Sequence, residues 1–207
     1  MAERIKGIRA MLDYQVLYVS KTGNTKRIAK EIFAALPGTS KDICDLQEQG
    51  RIQSAEIYFI GFWVNCGTCE KEVMDILSTL HGKKVVLFGT CGMGRNREYD
   101  QKIAHSVEAF LPEDCEYLGY FLCQGKMPMD VRRRYEEMLA EGREKDKVKQ
   151  LIRNFDEALL HPDEGDFAEV REFVKSVLQN RTDHVKEKIK KDHENMKNHI
   201  DKNMVSM

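Results

Sequence analysis

At 207 residues the chain is long enough for one domain with a substantial core plus appendages, and short for two. Its 33 basic and 34 acidic residues leave a formal net charge of -1, which argues against a nucleic-acid partner held by bulk charge. The start, Met1-Ala2-Glu3-Arg4-Ile5-Lys6, leads into no apolar stretch fit for a signal peptide or a membrane span, so the six cysteines (Cys44, Cys66, Cys69, Cys91, Cys115, Cys123) are expected as reduced thiols of a soluble cytoplasmic protein.

The first apolar run, Tyr14 to Val19, reads as a buried strand, and Lys26 to Phe33 as the helix after it. Between them lies Ser20-Lys21-Thr22-Gly23-Asn24-Thr25. A strand turning through such a loop into a helix start makes an anion site, because the first helical amides have no internal acceptor and carry the positive end of the dipole. Gly23 lets the backbone approach a ligand, while Ser20, Thr22 and Thr25 bring hydroxyl donors. The loop lacks the Gly-Lys-Ser/Thr ending of nucleoside-triphosphate loops.

Pro37-Gly38 breaks the helical pattern, and Thr39 to Leu46 is expected as a short second strand. Ala55 to Trp63 is nearly continuously apolar, as a strand covered on both faces should be. Glu72 to Leu80 has helical spacing through Val73, Ile76, Leu77 and Leu80. Lys83 to Gly89 is another buried run, ending in Gly89-Thr90-Cys91-Gly92-Met93-Gly94. Ile103 to Phe110 reads as a helix closed by Pro112, and Glu116 to Cys123 as a fifth strand followed by Gln124-Gly125-Lys126.

Residues 127–160 read as two helices, about 129–141 and 144–160, parted near Gly142; the second carries the stripe Val148, Leu151, Ile152, Phe155, Leu159. His161-Pro162-Asp163-Glu164-Gly165-Asp166 opens a further helix through Val170, Phe173, Val174, Val177 and Leu178. Residues 181–207 form a charged tail with a thin helical stripe at Val185, Ile189, Met196 and Ile200. Strands alternating with helices imply a parallel sheet with right-handed crossovers and helices on both faces. Ligand sites in such sheets lie beyond the carboxyl ends of the strands, so loops 20–25, 63–69 and 90–95 belong on one edge.

The Ser20–Thr25 loop resembles the phosphate loop of flavodoxins, where Ser/Thr-x-Thr/Ser-Gly-Asn-Thr holds the phosphate of FMN. The resemblance covers about residues 14–126 and 161–180. It implies an α/β, flavodoxin-like, doubly wound five-stranded parallel sheet in the order 2-1-3-4-5, as one domain over residues 1–180. Residues 1–13 are then an extension, residues 127–160 a helical insertion after strand five, and residues 181–207 an appended helical tail. The resemblance also implies FMN as cofactor, with Ser20, Lys21, Thr22, Gly23, Asn24 and Thr25 at its phosphate. Trp63 would stack on the flavin ring, with Val64, Asn65, Cys66 and Gly67 against the flavin edge. Thr90, Cys91, Gly92, Met93 and Gly94 would read the pyrimidine edge, and Tyr99 is a second candidate stacking aromatic. Where flavodoxins place acids, this chain has Arg95, Asn96 and Arg97, and it lacks their strong overall acidity. The very low potential of a typical flavodoxin therefore does not follow from the resemblance.

The function implied is electron transfer to or from a partner reductase docking on residues 127–160, with no nucleic acid or membrane involved. The overall resemblance is to the flavodoxin-like proteins that accompany bilirubin reductases in gut anaerobes. The alternative is an FMN-dependent oxidoreductase acting directly on a small molecule such as a quinone or tetrapyrrole. A scaffold subunit that has lost its flavin is a third reading, against which the intact first loop counts.

Cys66-Gly67-Thr68-Cys69 has the spacing of a dithiol centre, for which a nearby helix start would lower a thiol pKa. A zinc or iron–sulfur site needs further ligands, and Cys91 alone does not supply them. The pair is expected to be incidental to the loop. The six histidines form no metal-ligand spacing, and no catalytic triad or carboxylate pair is legible, so no catalytic residue or metal is assigned.

Overall fold

The computed structural model describes residues 11–48, 52–94 and 96–182. Five strands, β1 (Leu12–Tyr18), β2 (Lys41–Asp45), β3 (Ala55–Trp63), β4 (Lys84–Cys91) and β5 (Glu116–Gln124), form one sheet in the order β2-β1-β3-β4-β5, each neighbouring pair parallel. Helices α1 (Asn24–Ala35), α2 (Lys71–Leu77) and α3 (Arg97–Glu108) make the crossovers. After β5 come α4 (Met129–Ala140) and α5 (Lys145–Ala158), and then a helix, α6, over residues 164–182.

Strand alternation sorts the core into two layers. Val16, Tyr18, Ile57, Phe59, Val86 and Phe88 face α1 and α6, where Ile28, Ile32, Val170 and Val174 meet them. Leu17, Val19, Tyr58, Ile60, Phe62, Val85 and Leu87 face the other way, onto Val73 and Leu77 of α2 and Ile103 and Val107 of α3. Central strands buried on both faces explain the near-continuous apolar runs of the sequence. Among the described residues no helix is long and apolar enough to cross a membrane.

Several boundaries differ from the sequence expectation, and three of them change which residues pack where. β1 begins at Leu12, which pairs with Ala55, so the end of the expected extension 1–13 belongs to the sheet. α2 stops at Leu77 instead of Leu80, because the hydroxyls of Ser78 and Thr79 turn back to the carbonyls of Asp75 and Ile76 and compete with a further helical turn. α3 begins six residues before Ile103, at Arg97, where the Asn96 side chain accepts from the Tyr99 amide as N-cap. Its polar first half hides it from a hydrophobic reading. The expected tail helix falls outside the described residues beyond residue 182, as do residues 1–10 and Arg95.

Candidate functional site

The loops that end β1, β3 and β4 converge on one edge of the sheet, around a cavity of about 450 Å³. Its walls include Lys21, Thr22 and Asn24 of the first loop, and Trp63, Val64, Asn65, Cys66 and Gly67 of the second. Thr90, Cys91, Gly92 and Met93 come from the third. Tyr99 adds an aromatic wall from α3.

At the first loop, Gly23 takes φ +84° and places no side-chain cap on α1. The amides of Asn24 and Thr25 consequently have no acceptor among the described residues, which leaves an anion-binding helix start. Asn24, only 2% exposed, ties the loop to the chain after β5: its Nδ2 donates to Thr22 Oγ1 and to the Lys126 carbonyl, both at 2.9 Å. Its Oδ1 is buried without a partner. A Cβ at Gly125 would sit 2.7 Å from that amide nitrogen, so glycine is what admits the contact. The Thr22 hydroxyl, accepting from Asn24, keeps its own proton for a ligand.

Ser20, Gly23, Thr25 and Gly94 belong to the expected set but do not line the cavity. Ser20 Oγ accepts from the Lys26 amide at 3.2 Å, and so caps α1 from within the loop. Thr25 is 1% exposed; its hydroxyl lies 3.3 Å from the Phe62 carbonyl and 3.0 Å from Thr90 Oγ1. It braces the first loop against the ends of β3 and β4.

The second loop is a tight turn. Asn65 and Thr68 exchange backbone bonds of 2.8 and 3.1 Å, with Cys66 (φ 49°) and Gly67 (φ 88°) both left-handed between them. That is the backbone of a type I′ turn, in which glycine is at ease and cysteine is strained. The two cysteines of the Cys-x-x-Cys sequence part company here. Cys66 is exposed at the tip, whereas Cys69 is buried in the core and its thiol is pushed up to about 11 by burial. Cys91 is buried too and pushed up to about 12; its thiol donates to the Met93 carbonyl at 3.3 Å.

Behind the turn sits Glu70, 8% exposed, with neither carboxylate oxygen in hydrogen-bonding geometry to a partner. Burial pushes its pKa up to about 8, against the opposing pull of nearby amides and of Lys21. Lys21 itself places its ammonium 4.8 Å from the centre of the Trp63 ring.

The fourth contribution to the site comes from residues 125–135, of which the sequence expectation covers 127–135 only as part of a docking surface. Gly125, Lys126, Met127 and Pro128 follow β5 along the cavity, and α4 supplies Val131, Arg134 and Tyr135. Asn154 of α5 reaches the third loop: its Nδ2 donates to the Gly92 carbonyl at 2.7 Å and its Oδ1 accepts from the Gly94 amide at 2.8 Å. A polar residue at the edge of the α5 apolar stripe was the only signal for it. His161, Asp163 and Asp166 also cluster, but their atoms serve the start of α6, with Asp163 Oδ1 accepting from the amides of Gly165 and Asp166.

The residues present fit FMN: free amides at a helix start suit a terminal phosphate, and Trp63, Tyr99 and the two loops offer an aromatic slot with backbone groups at its edge. A family model described as "Flavodoxin domain" matches residues 15–175. Two proteins each named "Flavodoxin-like domain-containing protein BilS" are similar to the chain. The one from Clostridioides difficile (strain CD3) is 36% identical over 166 residues, covering 79% of this chain and 94% of that protein. The one from Clostridium symbiosum (strain WAL-14163) is 30% identical over 180 residues, with the same coverage. Among solved structures, a Streptococcus pneumoniae TIGR4 flavodoxin superposes with a TM-score of 0.48 at 16% identity, covering 81% of this chain and 98% of that one. A flavoprotein in complex with FMN from Lactobacillus acidophilus NCFM gives a TM-score of 0.40 at 16% identity, covering 54% and 93%.

Proposed function

We propose, from the premise that this chain belongs to the flavodoxin domain family, that it is an FMN redox protein which carries electrons to or from a partner reductase. The observation that carries the reading is the convergence of three strand-end loops on one cavity, beside an α1 start whose Asn24 and Thr25 amides have no acceptor among the described residues. FMN supplies one- and two-electron chemistry at its ring. The chain's part is to bind, orient and shield it. Asn24 and Thr25 amides and the Thr22 hydroxyl would hold the phosphate, with the Ser20 and Thr25 hydroxyls keeping the loop in shape. Trp63 and Tyr99 would bury the ring faces, and the turn at 65–68 and the loop 90–94 would meet its edge.

The resemblance to flavodoxin-like proteins that accompany bilirubin reductases makes such a reductase the first partner to test. The α4–α5 hairpin is its proposed docking surface, because it borders the cavity mouth. The test is spectroscopic and then kinetic. The purified or FMN-reconstituted protein should show bound-flavin absorbance, with Trp63 fluorescence quenched and recovering when FMN is stripped. Its reduced form should then pass electrons to the partner faster than free FMN does. A protein that neither retains nor rebinds FMN would overturn the proposal.

One observation favours the second reading, a direct reductase of a small molecule. Val131, Arg134 and Tyr135 extend the cavity wall beyond the three flavin loops, where side chains of the hairpin could meet a small substrate. Steady NAD(P)H-driven turnover of a quinone or tetrapyrrole by the protein alone would select that reading. Slow turnover without a partner selects the carrier.

A further inference from the structure

Loop 92–94 is held by a residue far away in sequence. Asn154 engages it with both ends of its amide: Nδ2 to the Gly92 carbonyl and Oδ1 to the Gly94 amide. Gln124, at the end of β5, backs this contact, with its Nε2 3.2 Å from Asn154 Oδ1 and 3.4 Å from the Gly92 carbonyl. The glycines leave room around it. A Cβ at Gly94 would lie 3.3 Å from Asn154 Oδ1, and one at Gly92 would collide with Met127 at 2.4 Å. Asn154 is itself fixed by its neighbour Phe155, fully buried under the Arg132 guanidinium, 5.8 Å from the ring centre.

This clamp decides which backbone groups the loop has left to offer. The Gly92 carbonyl and the Gly94 amide are taken by Asn154, and the Met93 carbonyl by the Cys91 thiol. The amides of Gly92 and Met93 remain without partners among the described residues, and both residues line the cavity. Fixed donors beside a ring favour its electron-rich, reduced state over its oxidised one, whereas a freed carbonyl would do the reverse.

We infer that Asn154 is a positioning residue through which the α4–α5 hairpin sets the donor pattern of loop 92–94, and with it the redox balance of the bound flavin. The inference rests on the FMN reading of the site. By linkage, whatever shifts the hairpin also shifts that balance, and reduction of the flavin is felt at the hairpin.

The test compares the parent with Asn154→Ala and Asn154→Ser, and with Val148→Ala, which weakens the buried face of α5 without touching the loop. Two readouts are needed. In FMN-free protein, hydrogen exchange at the Gly94 amide should be fast in both Asn154 variants and slow in the parent and Val148→Ala. In FMN-loaded protein, the Asn154 variants should bind reduced FMN about five- to tenfold less well relative to oxidised FMN, read as a two-electron midpoint potential lower by about 20–30 mV. Val148→Ala should lose thermal stability and keep the parental potential. Unchanged Gly94 exchange, or a parental potential in FMN-loaded Asn154 variants, would overturn the inference, as would an equal shift in Val148→Ala. If the parent fails to take up FMN, the proposed function falls, while Gly94 exchange still tests the clamp.

Discussion

Glu70 shows how one side chain ties the site to the stability of the fold. Its carboxyl has a pKa near the ordinary 4.5 in the unfolded chain and about 8 in the folded one, because burial strips it of water with no partner to replace it. Below the lower value both states hold the proton and Glu70 contributes nothing. Between the two, only the folded state holds it, so stability falls as pH rises, and above about 8 the full cost remains. Glu70→Gln removes the titration. Its unfolding free energy should match the parent's near pH 4 and exceed it by about 2–4 kcal/mol at pH 8. Parallel urea curves for the two proteins across that range would refute the assignment. Thr22 and Thr25, alike in the sequence motif, should separate in the same kind of experiment. Thr22→Ala removes a hydroxyl at the cavity and should weaken FMN binding by about 1–3 kcal/mol in a fluorescence titration. Thr25→Ala breaks contacts to Phe62 and Thr90 and should cost about 1–3 kcal/mol of stability instead. If Thr25→Ala lowered only FMN affinity and left urea unfolding untouched, its bracing role would fall.

Elements dictate their neighbours through a few close approaches. Where β3 runs beside β4, Gly61 pairs with Phe88 and lies against its ring, and an added Cβ would be 2.2 Å from Cζ. Phe88 is fully buried in the layer facing α1 and α6 and has nowhere to turn. Gly61→Ala should therefore destabilise the fold by about 1–3 kcal/mol in urea, while Gly38→Ala, with open space around it but φ +72°, should cost less. Equal costs for the two would refute the close-packing account. The same packing explains what was legible beforehand. Runs such as Val85 to Phe88 suit central strands buried on both faces, and their alternation with helices points to a parallel sheet with its loops on one edge. Local motifs therefore pointed to one sheet edge, and parts of the loops 20–25, 63–69 and 90–95 border one cavity there. What the sequence could not show is contact between segments far apart in it. Lys126 meeting Asn24, Asn154 reaching Gly92 and α4 closing one side of the cavity depend on how the hairpin folds back, which no periodicity encodes. Nor did the motif reveal that Thr25 faces Thr90, since a hydroxyl is equally suited to an anion and to a neighbouring strand end.

Over the whole molecule the charges nearly cancel, so electrostatic docking has to come from local placement, not from net attraction. Arg132, Arg133 and Arg134 stand in an unbroken basic run, but on α4 the three side chains do different things. Arg132 is half-buried, pairs with Glu136 and Asp156 and lies over Phe155, joining α4 to α5. Arg133 pairs with Asp130 on its own helix. Arg134 lines the cavity and has no acidic partner among the described residues; Lys21 and Lys126 share that border. A partner presenting acids at the flavin edge would thus meet Arg134 first. Exposed charges of this kind act mainly on the rate of encounter, and salt screens them over about 8–10 Å. Arg134→Ser should accordingly slow electron transfer to the reductase at low ionic strength, with the difference closing as salt rises and FMN content unchanged. Arg132→Ser should instead lower the thermal midpoint through the lost α4–α5 join, worth about 1–2 kcal/mol. Stopped-flow rates across a salt series, set beside melting curves for both variants, separate the two roles. If Arg134→Ser transferred electrons at the parental rate at low salt, the hairpin's charged face would have no part in docking, and Arg134 would be left as a wall of the cavity alone.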